Sequence, residues 1–105
     1  MFALFVELNA APDQVDTLKS VLENLTKIAA TEPGVIVYNV HQSQEQPTLF
    51  MLYELYREKA AWQTHMDDPR IGEQLARFSA LLASEARVIQ CDPLALNIAQ
   101  NKMPA

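Results

Sequence analysis

The chain contains few of the residues that build common cofactor sites. Its 105 residues include one cysteine, Cys91, and two glycines, Gly34 and Gly72. A single cysteine excludes an internal disulfide and a cysteine-cluster metal site, and two isolated glycines exclude a glycine-rich phosphate loop. The two histidines, His41 and His65, are far apart in sequence. We therefore expect no dedicated metal site and no bound cofactor.

Long apolar runs and clusters of basic residues are also missing. No apolar stretch approaches the roughly 20 residues of a membrane span, and the eight Lys and Arg residues are scattered in a chain of formal charge −5. We therefore expect neither a membrane nor a nucleic acid as partner. The first residues do not form a basic signal-peptide start, which favours the cytoplasm. Half of the residues are apolar, which predicts one small domain that a partner subunit would help to stabilise.

The first third of the chain shows two clear periodicities. Residues 2–9 alternate between apolar and mixed faces, which predicts a strand. The next segment predicts a helix, with Pro12 at its first position, Asp13 and Asp16 in its opening turn, and apolar residues at spacings of three and four. These apolar residues are Val15, Leu18, Leu22, Leu25 and Ala29. The run Glu32-Pro33-Gly34 should end the helix.

The rest of the chain continues with a hairpin and shorter elements. Residues 35–42 predict a second strand, residues 43–47 a loop, and residues 48–56 a third strand that is apolar on both faces except at Glu54. A short helix is expected at residues 59–66, a break at Asp67-Asp68-Pro69, a helix at residues 71–84 and a last strand at residues 86–91.

The order strand, helix, strand, strand, helix, strand is that of the ferredoxin-like α+β fold, with helices on one face of a four-stranded antiparallel sheet. Since the first and third strands are apolar on both faces, the uncovered face should bind a second copy of the chain. We thus expect a homodimer built from one domain, residues 1–92. The C-terminal tail, residues 93–105, could pack on the partner subunit.

Polar and aromatic groups that interrupt the apolar pattern are candidates for a pocket between sheet and helices. They are Glu7, Asn9, Tyr38, Asn39, His41, Tyr53, Glu54, Tyr56, Trp62 and His65. His65 comes first, because it follows Trp62 by three residues and shares its helical face. A neutral imidazole suits proton transfer near neutral pH. The alternative is a helix-end histidine bonded to a carbonyl group or water.

Two carboxylates offer a second kind of chemistry. Glu7 and Glu54 lie on strands that should be neighbours, so they could share a proton and act as acid and base; alternatively each is paired at the dimer interface. Asn39 could polarise a carbonyl group. Tyr38 and Tyr56 could line the pocket or be core aromatics with bonded hydroxyls.

Several short motifs together resemble the antibiotic biosynthesis monooxygenase family over residues 2 to about 92. They are Phe5-Val6-Glu7-Leu8-Asn9, Glu32-Pro33-Gly34, Tyr53-Glu54-Leu55-Tyr56, and Ala60-Ala61-Trp62-Gln63-Thr64-His65 followed by Asp68-Pro69. The resemblance implies a dimeric α+β barrel and, in many members, oxygenation of quinols or phenolic polyketides by dioxygen without flavin or metal.

The resemblance also implies roles for particular residues. The asparagine, tryptophan and tyrosine that surround the substrate in polyketide oxygenases best match Leu52, Tyr56 and Trp62. The helix histidine of the haem-degrading branch has no match here, which argues against that activity. His65 matches a histidine frequent in the quinol oxygenase and autoinducer-2 phosphate isomerase branches, and Arg70 stands where those branches usually carry a second histidine.

Three functions remain open at this point. A monooxygenase acting on a small quinol or phenol would use His65 as base in an apolar pocket walled by Trp62, Tyr56 and Phe78. An isomerase of a small phosphorylated hydroxydiketone would use His65 and Glu54 as acid and base, with Arg70 binding the phosphate. A dimeric protein of this fold could also bind a small molecule without turnover.

Overall fold

The computed structural model describes residues 1–98 and contains four strands and four helices. In chain order these are β1 (Phe2–Asn9), α1 (Val15–Ala29), β2 (Val35–Gln42), β3 (Leu49–Tyr56), α2 (Lys59–Asp67), α3 (Pro69–Leu75), α4 (Phe78–Leu81) and β4 (Arg87–Cys91). The first two predicted strands have the predicted bounds, and the apolar residues of the first predicted helix lie within α1.

The four strands form one antiparallel sheet in the order β2-β3-β1-β4. β1 and β3 are therefore the central pair, as expected, and Leu4 lies opposite Glu54 in their register. This topology confirms the ferredoxin-like α+β fold.

The core lies between the sheet and the helices. The face of β1 that carries Leu4, Val6 and Leu8 is buried against α1, whose Leu18 and Leu22 are also buried. Each such side chain contributes about 1.5–3 kcal/mol when it is removed from water. We call this face of the sheet the inner face.

The opposite, outer face of the sheet is open to solvent at its centre. Phe5 and Met51 are 45% and 43% exposed, and Ile89 beside them is also exposed. The Phe5 ring contacts that of Tyr53 at 5.1 Å between centroids. The chain thus presents apolar and aromatic side chains where most surface strands carry polar ones.

The start of α1 differs from the prediction. The helix begins at Val15, so Pro12 and Asp13 lie in a preceding turn and not at its first positions. The amide of Gln14 donates to the carbonyl of Ala11, whose own amide donates to the carbonyl of Leu81. Because Ala11 is bonded to α4, the chain must turn before the helix can start.

The helix expected over residues 71–84 is interrupted. α3 ends at Leu75 and α4 occupies only Phe78–Leu81. Beyond α4, Leu82 forms a bridge with Ala10, and the amide of Ala83 donates to the carbonyl of Asn9. The chain leaves the helix because its backbone pairs with the end of β1, and Leu82 therefore does not continue the helical stripe.

The remaining differences lie at element ends. β3 starts at Leu49, β4 at Arg87, and α2 extends to Asp67. α3 starts at Pro69, within the expected break and two residues before the predicted start. No helix within residues 1–98 is long and apolar enough to cross a membrane. Residues 93–98 of the predicted tail have no regular secondary structure, and residues 99–105 lie outside the described residues. The packing of the tail on a partner stays a prediction.

Candidate functional site

A cavity of about 260 Å³ lies between the inner face of the sheet and the helices α2, α3 and α4. Its lining is apolar apart from a few side chains at one side. The lining residues are Leu4, Val6, Leu8, Leu25, Tyr38, Leu52, Glu54, Trp62, His65, Met66, Leu75, Phe78, Ala86 and Val88. Two ionisable side chains that can transfer protons, Glu54 and His65, thus face one small apolar space.

His65 is held by a carboxylate. It lies on α2 and is 3% exposed, and its Nδ1 lies 2.6 Å from Oε1 of Glu32, in the loop that follows α1. A carboxylate accepts a hydrogen bond from Nδ1–H, and in the neutral imidazole this arrangement leaves the lone pair on Nε2. Glu32 therefore orients His65 and selects the tautomer in which Nε2 is the base.

Glu54 lies on β3 and is 5% exposed. Burial raises the pKa of this carboxyl, while a hydrogen bond from Tyr56 and the proximity of His65 lower it in part. The Tyr56 hydroxyl donates to Oε1 of Glu54 at 2.5 Å. Burial, together with the charge of Glu54, raises the pKa of Tyr56, so the phenol stays a donor.

Aromatic rings enclose the imidazole and shape the cavity. The rings of Tyr38 and Tyr56 each lie 5.6 Å from that of His65. Burial, followed by the nearby charges of Glu54 and Glu32, raises the pKa of Tyr38, which therefore stays protonated. Trp62 stacks on Phe2 at 5.2 Å, which fixes the indole wall. These contacts restrict the motion of the base and its surroundings.

The structure brings most of the predicted site residues together. His65, Glu54, Trp62, Tyr38 and Phe78 all line the cavity. Tyr56 does not line the cavity, but its hydroxyl donates a hydrogen bond to Glu54, which does. The spacing that placed Trp62 and His65 on one helical face corresponds to one wall of this cavity.

Glu7 and Asn39 lie elsewhere. Glu7 pairs with Met51 and Asn39 with Tyr53, so both point to the outer face. Successive residues of a strand alternate between faces, and Glu54 faces inward. The structure therefore does not form the predicted Glu7–Glu54 pair. Glu7 instead lies 3.8 Å from Arg87.

Arg70 also lies outside the cavity. It opens α3 and is exposed, and its Nη2 lies 2.8 Å from Oδ2 of Asp68. Hydrogen bonds from the side chain and the backbone amide of Arg70 hold the pKa of Asp68 below its usual range. Arg70 lines a separate surface cleft that also contains Glu32. The other polar candidates, Asn9, His41 and Tyr53, are not among the cavity-lining residues.

Glu32 is the site residue that the sequence did not reveal. In the sequence it stands out only as part of the run Glu32-Pro33-Gly34, and it is 33 positions away from His65. No spacing rule joins a turn residue to a side chain on a distant helix. The signal was a carboxylate directly before Pro33-Gly34, where the chain reverses toward the sheet.

The arrangement supports proton transfer. Nε2 of His65 can accept a proton, and a protonated Glu54 can donate one. Within residues 1–98, no group of three or more His, Cys, Asp or Glu side chains is placed to bind a metal ion.

Comparisons with known proteins identify the family and the fold. The sequence model of the antibiotic biosynthesis monooxygenase family matches residues 1–77. An isomerase of (4S)-4-hydroxy-5-phosphonooxypentane-2,3-dione from Klebsiella pneumoniae is 33% identical over 69 residues, which are 66% of this chain and 70% of that protein.

An uncharacterized protein of Synechocystis is 24% identical over 81 residues, and the match covers 77% of this chain but 55% of that protein's length. A solved structure from Mycobacterium tuberculosis superimposes with a TM-score of 0.86 at 23% identity, covering 90% of this chain and 96% of the other. The fold is thus shared, and the chain belongs to the antibiotic biosynthesis monooxygenase family.

Proposed function

We propose that the cavity binds a small quinol or phenol and that the protein catalyses its oxygenation by dioxygen, with His65 as general base and no resident cofactor. The observation that carries this proposal is the His65–Glu32 pair at the edge of a small apolar cavity. Such a pair provides a base of fixed orientation beside a mainly apolar space.

The reaction needs proton transfers and an electron-rich substrate. Nε2 of His65 removes a hydroxyl proton from a quinol, and the resulting anion is rich in electrons at its ring carbons. One electron passes to dioxygen, and the two radicals combine to form a carbon–oxygen bond. The peroxide anion takes up a proton, and the resulting hydroperoxide loses the hydrogen of its ring carbon together with its outer oxygen as water, which leaves a hydroxylated quinone. One oxygen atom enters the product, the other leaves as water, and the quinol supplies both electrons.

Glu54 serves the second half of this reaction. Burial raises its pKa, so a larger fraction of the carboxyl keeps its proton than in an exposed glutamate. A protonated Glu54 can donate to the peroxide oxygen that departs as water. Tyr56 positions this carboxyl through its hydroxyl.

The shape of the cavity also favours a small aromatic substrate. Trp62, Leu75 and Phe78 form apolar walls. The volume of about 260 Å³ lies just below the usual range of ligand pockets, roughly 300–1,000 Å³. A flat ring with few polar groups fits such a space better than a phosphorylated sugar-like molecule does.

We further propose that the protein is a homodimer in which the outer faces of two sheets meet. The exposed Phe5, Met51 and Ile89 support this arrangement, because their burial against a second copy would remove apolar surface from water. The tail from residue 93 onward, with Leu94 almost fully exposed, would pack on the partner subunit.

The first experiment measures oxygen uptake with a panel of quinols and dihydroxynaphthalenes, using chelator-treated protein. Uptake should require the protein and fall by about a hundredfold or more in His65→Ala, the loss expected for a general base. His41→Ala is the matched control, because it removes the other histidine from the outer side of the sheet. Uptake that is absent in the wild type, or equal in both histidine variants, would rule out the proposal.

The relative from Klebsiella pneumoniae favours a second candidate, isomerisation of a phosphorylated hydroxydiketone. Glu54 and His65 could move a proton between carbon atoms next to a carbonyl group. Arg70 lines the separate surface cleft and not the cavity, which argues against its role as a phosphate ligand. Turnover of such a substrate, with a KM that rises in Arg70→Ala, would establish the second candidate in place of the first.

A further inference from the structure

The His65–Glu32 pair separates two spaces. His65 lines the inner cavity and is absent from the lining of the surface cleft, whereas Glu32 lines that cleft and is absent from the lining of the cavity. The cleft has a volume of about 670 Å³, and Thr31, Gly34 and Arg70 are among its lining residues. We call it the outer cleft. One short hydrogen bond thus joins the reacting space to the solvent.

We propose that Glu32 is a proton relay that connects Nδ1 of His65 with water in the outer cleft while the substrate fills the cavity. This inference rests on the proposed function, because it takes His65 as the base. It goes further by giving Glu32 a role in moving protons, in addition to holding the imidazole.

The proton balance follows from the two ring nitrogens. When Nε2 accepts the substrate proton, Nδ1 passes its own proton to Oε1 of Glu32, which releases it into the outer cleft. The imidazole is then neutral and carries the substrate proton on Nε2. It delivers that proton to the peroxide anion, which becomes the hydroperoxide on which Glu54 then acts, and Nδ1 regains a proton through Glu32. One proton leaves and one returns, so the cycle closes.

The surroundings of the pair support a relay in this direction. Glu32 has a side chain 12% exposed, against 3% for His65, so water reaches the carboxylate more readily than the ring. A bound substrate would cover the Nε2 side. The guanidinium of Arg70 donates to Thr31 Oγ1 at 3.3 Å at the cleft. The cleft therefore contains a cation as well as the carboxylate of Glu32.

Two substitutions separate the relay from simple positioning. Glu32→Gln keeps an oxygen that can accept the Nδ1–H bond but cannot take the proton, whereas Glu32→Ala removes both functions. A relay predicts that both variants lose about tenfold or more in kcat with KM within about twofold of the wild type. A wild-type kcat in Glu32→Gln would overturn the relay and leave positioning alone.

Small acids offer a further readout of the same variants. The outer cleft is open, so formate should reach the space left by Glu32→Ala and restore part of kcat. It should not restore His65→Ala. Glu58→Gln is the matched control, since Glu58 is an exposed carboxylate in the lining of the same cleft, and its kcat should stay at the wild-type level. No rescue by formate at any concentration would count against the relay.

A measurement without substrate keeps the relay testable if quinol oxygenation is not found. Proton exchange with water at Nδ1 of His65 can be followed by NMR on protein with labelled histidine. We expect exchange at least about tenfold faster in the wild type than in Glu32→Gln. Equal exchange rates would overturn the relay, whereas absent oxygen uptake with unequal rates would reject the proposed function and leave the relay in place.

Discussion

At the residue scale, Glu54 has the most unusual environment in the site. A carboxyl that is almost fully buried among apolar side chains is costly to ionise, and the hydrogen bond from Tyr56 offsets that cost only in part. The raised pKa means that Glu54 gives up its proton less readily than an exposed carboxyl does. The cost should be visible as a dependence of stability on pH.

The sign of this dependence follows from the raised pKa of Glu54. The folded protein holds the proton more tightly than the unfolded chain, so the stabilisation is complete below a pH of about 4.5, the ordinary value, and is lost as the pH rises through the folded pKa. Glu54→Gln removes this loss. The variant should gain stability over the wild type with rising pH, by about 1.4 kcal/mol per unit of pKa shift.

Urea unfolding at pH 4 to 8 checks the expectation for both proteins. Because the difference between the two is compared at each pH, contributions from other titrating groups cancel to first order. A difference that stays constant or shrinks toward high pH would show that Glu54 is not held in its protonated form.

The site residues differ in how well the sequence predicted their positions. His65 and Trp62 could be placed together because helical spacing is a local rule. The sequence did not reveal to which face of the sheet Glu7 and Glu54 point. Alternation within one strand separates its two faces, but it does not show which of them the helices cover. Glu32 could not be found at all, because its contact with His65 depends on how a turn meets a helix.

At the element scale, the strong periodicities predicted β1, β2 and α1 well. The interrupted segment α3–α4 could not be predicted, because the spacing of Leu75, Phe78 and Leu82 continues a helical stripe across it. α4 ends early because the backbone of Leu81 and Ala83 forms hydrogen bonds with Ala11 and Asn9, at the far end of β1. Such bonds between distant segments leave no trace in a local pattern.

The two glycines of the chain allow a paired test of helix packing. A Cβ added at Gly34 would lie 2.6 Å from Cβ of Ala61, whereas one added at Gly72 would meet nothing within 4 Å. Gly34→Ala should therefore push α2 away from the start of β2 and cost about 1–3 kcal/mol. Gly72 lies on the exposed side of α3, and Gly72→Ala should stabilise this helix by about 0.5–1 kcal/mol.

Thermal or urea unfolding of the two variants shows whether the free energy of unfolding falls in Gly34→Ala and rises in Gly72→Ala. Gly34→Ala should also weaken proton transfer, because α2 carries His65 and Gly34 follows Glu32 by two residues. Two variants of equal stability would show that the contact between Gly34 and Ala61 is not tight in solution.

At the scale of the whole molecule, the outer face of the sheet carries the proposed dimer interface. Phe5→Asp places a charge at its exposed centre and should convert the dimer to monomer, because a charge buried without a partner is strongly disfavoured. Gln63→Glu adds the same charge on the exposed side of α2 and should leave the dimer intact. Sedimentation velocity separates the two outcomes, and a Phe5→Asp dimer as stable as the wild type would refute the interface.

The family match ends at residue 77, in the gap between α3 and α4. Glu32, Glu54, Trp62 and His65 lie within the matched part, whereas Phe78, Ala86 and Val88 line the cavity from beyond it. The proton-transfer groups and one end of the cavity wall thus belong to separate stretches of sequence. The proposed function therefore predicts that substitutions within residues 78–91 change substrate preference while the ionisable groups of the cavity stay in place.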